Sequence, residues 1–182
     1  MSKERLRVEL LGKLKSLTNN EIQGLSFFLT KQIVKFFQFH PELQSQIGAG
    51  YLPLRTEIAP VYQELLRAVP LNIAYPILDG ELMGFAIPDG LPHGGIWLER
   101  PYHEVKPEWL LVPGVGFDLQ GRRLGRGKGF YDRYLERAKV KTIALAWSGQ
   151  ICEQIPVESH DYHMDFIITE NFCWDVKQQS KF

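Results

Sequence analysis

Apolar residues along the chain recur at two alternating periods, one helical and one extended. Leu6, Leu10, Leu14 and Leu17 fall at helical spacing and predict an amphipathic helix over residues 2–16. Thr18-Asn19-Asn20-Glu21 has capping-box spacing, so a second helix is expected over 19–37, with Ile22, Leu25, Leu29, Ile33 and Phe36 as its stripe. Residues 47–52 read as a strand stopped at Pro53, and 58–69 as a helix with Val61, Leu65 and Ala68 inward. A strand over 71–78, interrupted by Pro76, turns at Asp79-Gly80 into an antiparallel addition over 81–87. Buried strands follow at 109–112, 141–147 and 166–169, with a helix over 130–138 and a short turn or helix over 151–155. Helices alternating with strands imply an α/β fold, a single-domain three-layer α/β/α arrangement with an open, mostly parallel, Rossmann-like sheet and an antiparallel edge. The domain is expected to span 1–176, with 177–182 a frayed polar tail.

Composition narrows the function more than the fold. In 182 residues, 21 Lys and Arg balance 21 Asp and Glu, so no global field draws the chain to nucleic acid or to an anionic membrane. The charge is ordered locally instead. Cys152 and Cys173 lack CxxC spacing, the N-terminus has no apolar signal core, and no run reaches membrane-spanning length. A reduced cytoplasmic protein, acting as a monomer on small molecules, is the expectation.

The stretch 111–135 concentrates the chemistry. A short apolar strand end leads to Gly125, Gly127 and Gly129 at alternate positions, interleaved with Arg123, Arg126 and Lys128, and then to a helix. Alternating glycines let backbone N–H groups converge on an anion, and a following helix adds its N-terminal dipole. The spacing is neither a Walker loop nor a dinucleotide fingerprint, and a plain tight turn carrying solvated cations has the same outline. Asp132 separates the two readings. A carboxylate beside a phosphate nest repels the ligand unless it merely complements the helix dipole or shares a Mg²⁺ with the phosphates. Lys3 and Arg7, four apart on the first helix, can converge on one anion or form a solvated face. Glu57 lies where a strand hands over to a helix, either facing a ligand crevice or serving the helix dipole. Trp97, in a polar setting, can stack on a heterocycle or plug a surface. The run His160-Asp161-Tyr162-His163-Met164-Asp165 lacks the further Cys or His of a transition-metal site, whereas a lone acid helping a hydrated Mg²⁺ is less demanding.

Lys3-x-x-Leu6-Arg7, Tyr51-x-Pro53-x-x-x-Glu57, VPGVGFDLQGRRLGRGKGFYDRYL and Gln150 with His160-Asp161-x-x-Met164-Asp165-x-Ile167-Ile168-Thr169-Glu170 occur in this order. Together they resemble the 5-formyltetrahydrofolate cyclo-ligase family. The resemblance implies an ATP-dependent cyclisation of 5-formyltetrahydrofolate, polyglutamylated or not, to 5,10-methenyltetrahydrofolate, with Mg²⁺ as cofactor and ATP as co-substrate. It implies that Lys3, Arg7 and Arg123, Leu124, Gly125, Arg126, Gly127, Lys128, Gly129, Phe130 and Tyr131 hold ATP, with Arg126 and Lys128 catalytic. Asp132 and Asp161 would hold Mg²⁺, Glu57 would bond the pterin edge, and Leu52, Trp97 and Phe130 would pack on the pterin face. Two further readings use the same nest: an α/β enzyme for phosphorylated sugars, which needs neither acid, and a module that binds nucleotide or folate without turnover.

Overall fold

The computed structural model describes residues 2–88, 102–156 and 162–182. Helix α1 (Lys3–Ser16) starts at Ser2, whose hydroxyl accepts from the Arg5 N–H, and buries Leu6, Leu10 and Leu14. Helix α2 (Asn19–Phe39) opens with the expected capping box. Glu21 N–H donates to Thr18 Oγ1 at 3.3 Å, and Thr18 N–H donates to the Glu21 carboxylate at 2.7 Å. Then come β1 (Ile47–Ala49), α3 (Tyr62–Ala68), β2 (Asn72–Asp79), β3 (Leu82–Pro88), β4 (Tyr102–Val105) and β5 (Trp109–Pro113). After β6 (Gly116–Asp118), β7 (Arg123–Leu124), α4 (Phe130–Arg137), β8 (Lys141–Leu145) and β9 (Ile151–Cys152), the chain ends in β10 (Phe166–Ile168), β11 (Cys173–Asp175) and β12 (Ser180–Lys181).

Among the described residues nine strands form one sheet in the order β12-β11-β10-β8-β5-β1-β2-β3-β4. The five inner strands, β10 to β2, are parallel, and antiparallel strands extend both ends. Side chains alternate across the sheet as strand geometry requires. Trp109 and Leu111 join Leu29, Ile33 and Phe36 of α2 and Leu65 of α3 on one face. Leu110 and Val112 join Leu135 of α4 and Phe117 of the small β7-β6-β9 sheet on the other. These are the three layers expected. Taken in chain order, the parallel strands run second, first, third, fourth, fifth, so the order reverses between β1 and β5. The first crossover therefore places α3 on one face and the later one places α4 on the other.

Several boundaries differ from expectation. α3 covers only Tyr62–Ala68 because Pro60 has no N–H and drives Ala59 out of helical conformation. The extended run before it is held by Tyr51 Oη donating to Ile58 O and by Val61 N–H donating to Thr30 Oγ1, both at 2.9 Å. Pro76 does not interrupt β2. It lies past the last rung to β1, Ala49 with Ala74, where one side of the strand needs no donor. Asp79 pairs with Leu82, so the hairpin loop is Gly80-Glu81, one residue later than expected. Residues 151–155 form no helix; β9 pairs with β6 instead. The tail does not fray, because β12 pairs with β11 and Phe182 packs near Phe36, Phe39, His40 and Phe166. Among the described residues no helix is long and apolar enough to cross a membrane.

Candidate active site

Where the strand order reverses, the segments leaving β1 and β5 part and open a crevice at the carboxyl end of the sheet. A cleft of about 470 Å³ fills it. That volume is within the range of small-molecule sites. One wall is the β1 exit, with Tyr51, Leu52, Leu54 and Glu57, backed by Pro76, Leu78 and Met83 of the β2–β3 hairpin. The opposite wall is Pro113 and Gly114 at the β5 exit and the loop from β7 into α4. Leu54 and Leu78 stand 55% and 52% exposed on the lip, so one half of the cleft offers apolar surface to a ligand.

The loop wall is glycine-dependent, though not uniformly. Gly127 and Gly129 have φ of +96° and +66°, the left-handed region that L side chains avoid. Gly125 does not share it, against the expectation of three equivalent glycines. It is small for another reason: a Cβ there would lie 3.1 Å from the Arg123 guanidinium. Gly129 is the residue before α4, so the unpaired first-turn N–H groups of that helix open beside the loop. Arg7 Nε donates to Gly125 O at 2.9 Å, which fastens α1 to the loop, and Lys3 lies one turn earlier on the same side. Leu124, expected among the ligand residues, is buried against Leu6 and Leu10 of α1, and its carbonyl accepts from Val115 N–H at 2.7 Å. It holds the loop's base in place.

Among the described residues three cations and two acids meet in this space. Arg123, only 6% exposed in its side chain, pairs through Nη2 with Asp132 Oδ1 at 2.6 Å and donates from Nη1 to Pro113 O at 3.3 Å. Arg126 Nε pairs with Glu57 Oε1 at 2.8 Å, while Glu57 Oε2 accepts from Leu54 N–H at 2.9 Å. Lys128 is exposed, lines the cleft and has no partner among the described residues. Burial raises the Tyr131 phenol well above its ordinary range, outweighing the opposing pull of Arg123, so it stays protonated. Beneath the loop, fully buried Asp118 accepts from Arg122 Nε at 2.6 Å and from the N–H groups of Gln120, Arg122 and Ile155 at 3.0, 3.2 and 2.7 Å. This network fixes the turn that delivers Arg123.

Among the described residues no group of three or more His, Cys, Asp or Glu could enclose a metal ion. Magnesium asks for less, one or two carboxylates completed by phosphate oxygens and water. Asp132 suits that use: it lines the cleft, and only its Oδ1 is engaged by a described residue. Asp161 and Trp97 lie outside the described residues. The structure thus gathers Leu52, Glu57, Arg123, Gly125, Arg126, Lys128, Gly129, Phe130, Tyr131 and Asp132 around one cleft. Sequence reasoning missed Leu54, Leu78 and Met83. The Asp79-Gly80 turn beside Leu78 was the available signal, since a hairpin tip exposing large apolar residues is unusual unless they meet something.

The profile of the 5-formyltetrahydrofolate cyclo-ligase family matches residues 90–170. The mouse 5-formyltetrahydrofolate cyclo-ligase is 36% identical over 195 residues, covering 93% of this chain and 86% of the mouse protein. The solved 5,10-methenyltetrahydrofolate synthetase of Mycoplasma pneumoniae superposes with a TM-score of 0.78 at 26% identity, over 93% of this chain and 99% of its own. That of Aquifex aeolicus gives 0.77 at 29% identity, over 97% and 94%.

Proposed function

The chain belongs to the 5-formyltetrahydrofolate cyclo-ligase family, and from that premise we propose that it closes 5-formyltetrahydrofolate to 5,10-methenyltetrahydrofolate at the expense of ATP. The observation that carries this reading is the division of one cleft. A cationic glycine loop at a helix N-terminus faces an apolar alcove that contains, among the described residues, one carboxylate, Glu57.

The formyl oxygen, electron-rich through amide resonance, attacks the γ-phosphorus, and the bond from phosphorus to the β-bridging oxygen breaks to release ADP. N10 then bonds to the formyl carbon and loses its proton, and phosphate departs with the former formyl oxygen. Substrate atoms supply both nucleophiles, so the protein needs no activated Ser or Cys. Its contribution is positioning and charge stabilisation. The backbone of 125–131 cradles the triphosphate, with Lys3 and Arg7 adding charge from α1. Lys128, free of a protein partner among the described residues, neutralises charge that grows on the transferring group, assisted by Arg126. Tyr131 remains a donor across the working pH range. Asp132 would hold Mg²⁺, with Asp161 as a second acid; the ion would screen the phosphates. Leu52 and Phe130 flank the pterin, whose N–H edge suits Glu57 as acceptor.

The test mixes protein, ATP, Mg²⁺ and 5-formyltetrahydrofolate and follows the absorbance of the methenyl product. A rise that requires all three reactants is expected. Product without ATP, or folate binding without turnover, would overturn the proposal.

A further inference from the structure

We propose that the Glu57–Arg126 ion pair is a latch coupling the two halves of the cleft, so that each substrate raises the affinity for the other. The inference rests on the reading just given, with phosphates on the loop side and pterin in the alcove. Arg126 Nε and Glu57 Oε1 meet at 2.8 Å across 69 positions of sequence. The contact occupies both recognition groups at once. The alcove's carboxylate is engaged by a guanidinium, and a loop cation is engaged by a carboxylate.

The two partners differ in freedom. Glu57 is 11% exposed in its side chain and is held a second time, through Oε2, by Leu54 N–H. Arg126 is a third exposed and flanked by Gly125 and Gly127. Gly127 is in the left-handed region, and a Cβ placed on it would meet no atom within 4 Å, so nothing packs against the loop on that side. Arg126 is therefore the group that moves. A triphosphate outcompetes a single carboxylate for it, and Glu57 Oε1 then becomes available to the N–H donors of a pterin. In the other direction, a pterin engaged by Glu57 releases Arg126 to phosphate. Thermodynamic linkage makes the two effects equal in size. One ion pair with a solvent-reaching guanidinium sets that size at about two- to fivefold in dissociation constant.

Calorimetric titration tests this with adenylyl imidodiphosphate plus Mg²⁺ as one probe and 5-formyltetrahydrofolate as the other, each alone and with the other saturating. In the wild type each probe should bind about two- to fivefold tighter in the presence of the other. Glu57→Gln keeps an acceptor for Leu54 N–H and should bind the nucleotide analogue alone tighter than wild type by a similar factor. Arg126→Gln should bind 5-formyltetrahydrofolate alone more tightly, although it removes a cation near an anionic ligand, an outcome that loss of general attraction or of structure cannot produce. Independent binding of the two probes to the wild type, or no single-probe gain in either variant, overturns the latch while the reading of the site stands. Wild type that binds neither probe overturns both.

Discussion

Replacing Asp118 with alanine should unfold the base of the loop wall before it affects anything else. The carboxylate is fully buried and accepts four hydrogen bonds, one from the Arg122 guanidinium and three from backbone N–H groups. Breaking a buried charged pair costs about 3–5 kcal/mol when the surviving partner stays desolvated. Arg122 keeps 15% side-chain exposure and recovers some hydration, which lowers its share. The Ile155 N–H is buried and cannot recover any, which adds about 1–3 kcal/mol. A net loss of about 4 kcal/mol, at about 2–4 °C per kcal/mol for a chain of this size, lowers the melting temperature by about 8–16 °C. Asp118→Asn should lose about half as much, because one carbonyl oxygen still accepts from Gln120 and Arg122. Adding Arg122→Met to Asp118→Ala should recover part of the loss, since the unpaired charge is then gone. Scanning calorimetry reads all three. A drop below about 3 °C in Asp118→Ala would refute the network as the anchor of the turn that carries Arg123.

Lys128→Ala should lower kcat about a hundredfold or more while the dissociation constant for 5-formyltetrahydrofolate changes little, as for loss of one transition-state donor; equal losses in both would contradict its role. Asp132→Asn should raise the Mg²⁺ concentration for half-maximal rate and also reduce stability, because Arg123 loses its partner; an unchanged magnesium titration would remove Asp132 from the metal site. Gly127→Ala meets no atom within 4 Å, so its cost is backbone conformation alone, about 1–2 kcal/mol, and turnover should suffer more than the melting temperature. Burial pushes the Cys173 thiol up to about 11 from 9. Its contribution is full below pH 9 and lost as pH rises towards 11, about 2–3 kcal/mol. Melts between pH 8 and 11 should therefore fall less steeply in Cys173→Ala than in wild type, and parallel slopes would exclude the effect.

The parts of this molecule legible in sequence are those written in local chemistry. Thr18 to Glu21 announced a helix start because a capping box is satisfied within four residues. The glycine loop was legible because φ above zero restricts side-chain choice at Gly127 and Gly129. The alcove was legible only through the resemblance, at Leu52 and Glu57; Leu54 and Leu78 come together only through pairing of β1 with β2, and a lone leucine carries no sign of its neighbour. The ends of the sheet were missed for a related reason. β4, β11 and β12 are two to four residues long and gain their strand character from the partner they join, and Phe182 is bound by distant aromatics. Nothing in the sequence marked Asp118 as an anchor, because its partner Ile155 N–H is 37 positions away.

The reversal of strand order has a consequence for how such a molecule can change over time. β1 to β3 carry the alcove on one arm of the sheet, and β5 to α4 carry the glycine loop on the other. Substitutions at Leu54 or Leu78, exposed on the lip, can reshape what the alcove accepts without replacing a charged group of the loop, whereas Met83 packs in one cluster with Phe130 and Tyr131 and ties the two arms together. Selection is thus free to adjust the lip of the alcove and the charges of the loop separately, while Met83 with its aromatic neighbours, and Glu57 with Arg126, must be altered in concert.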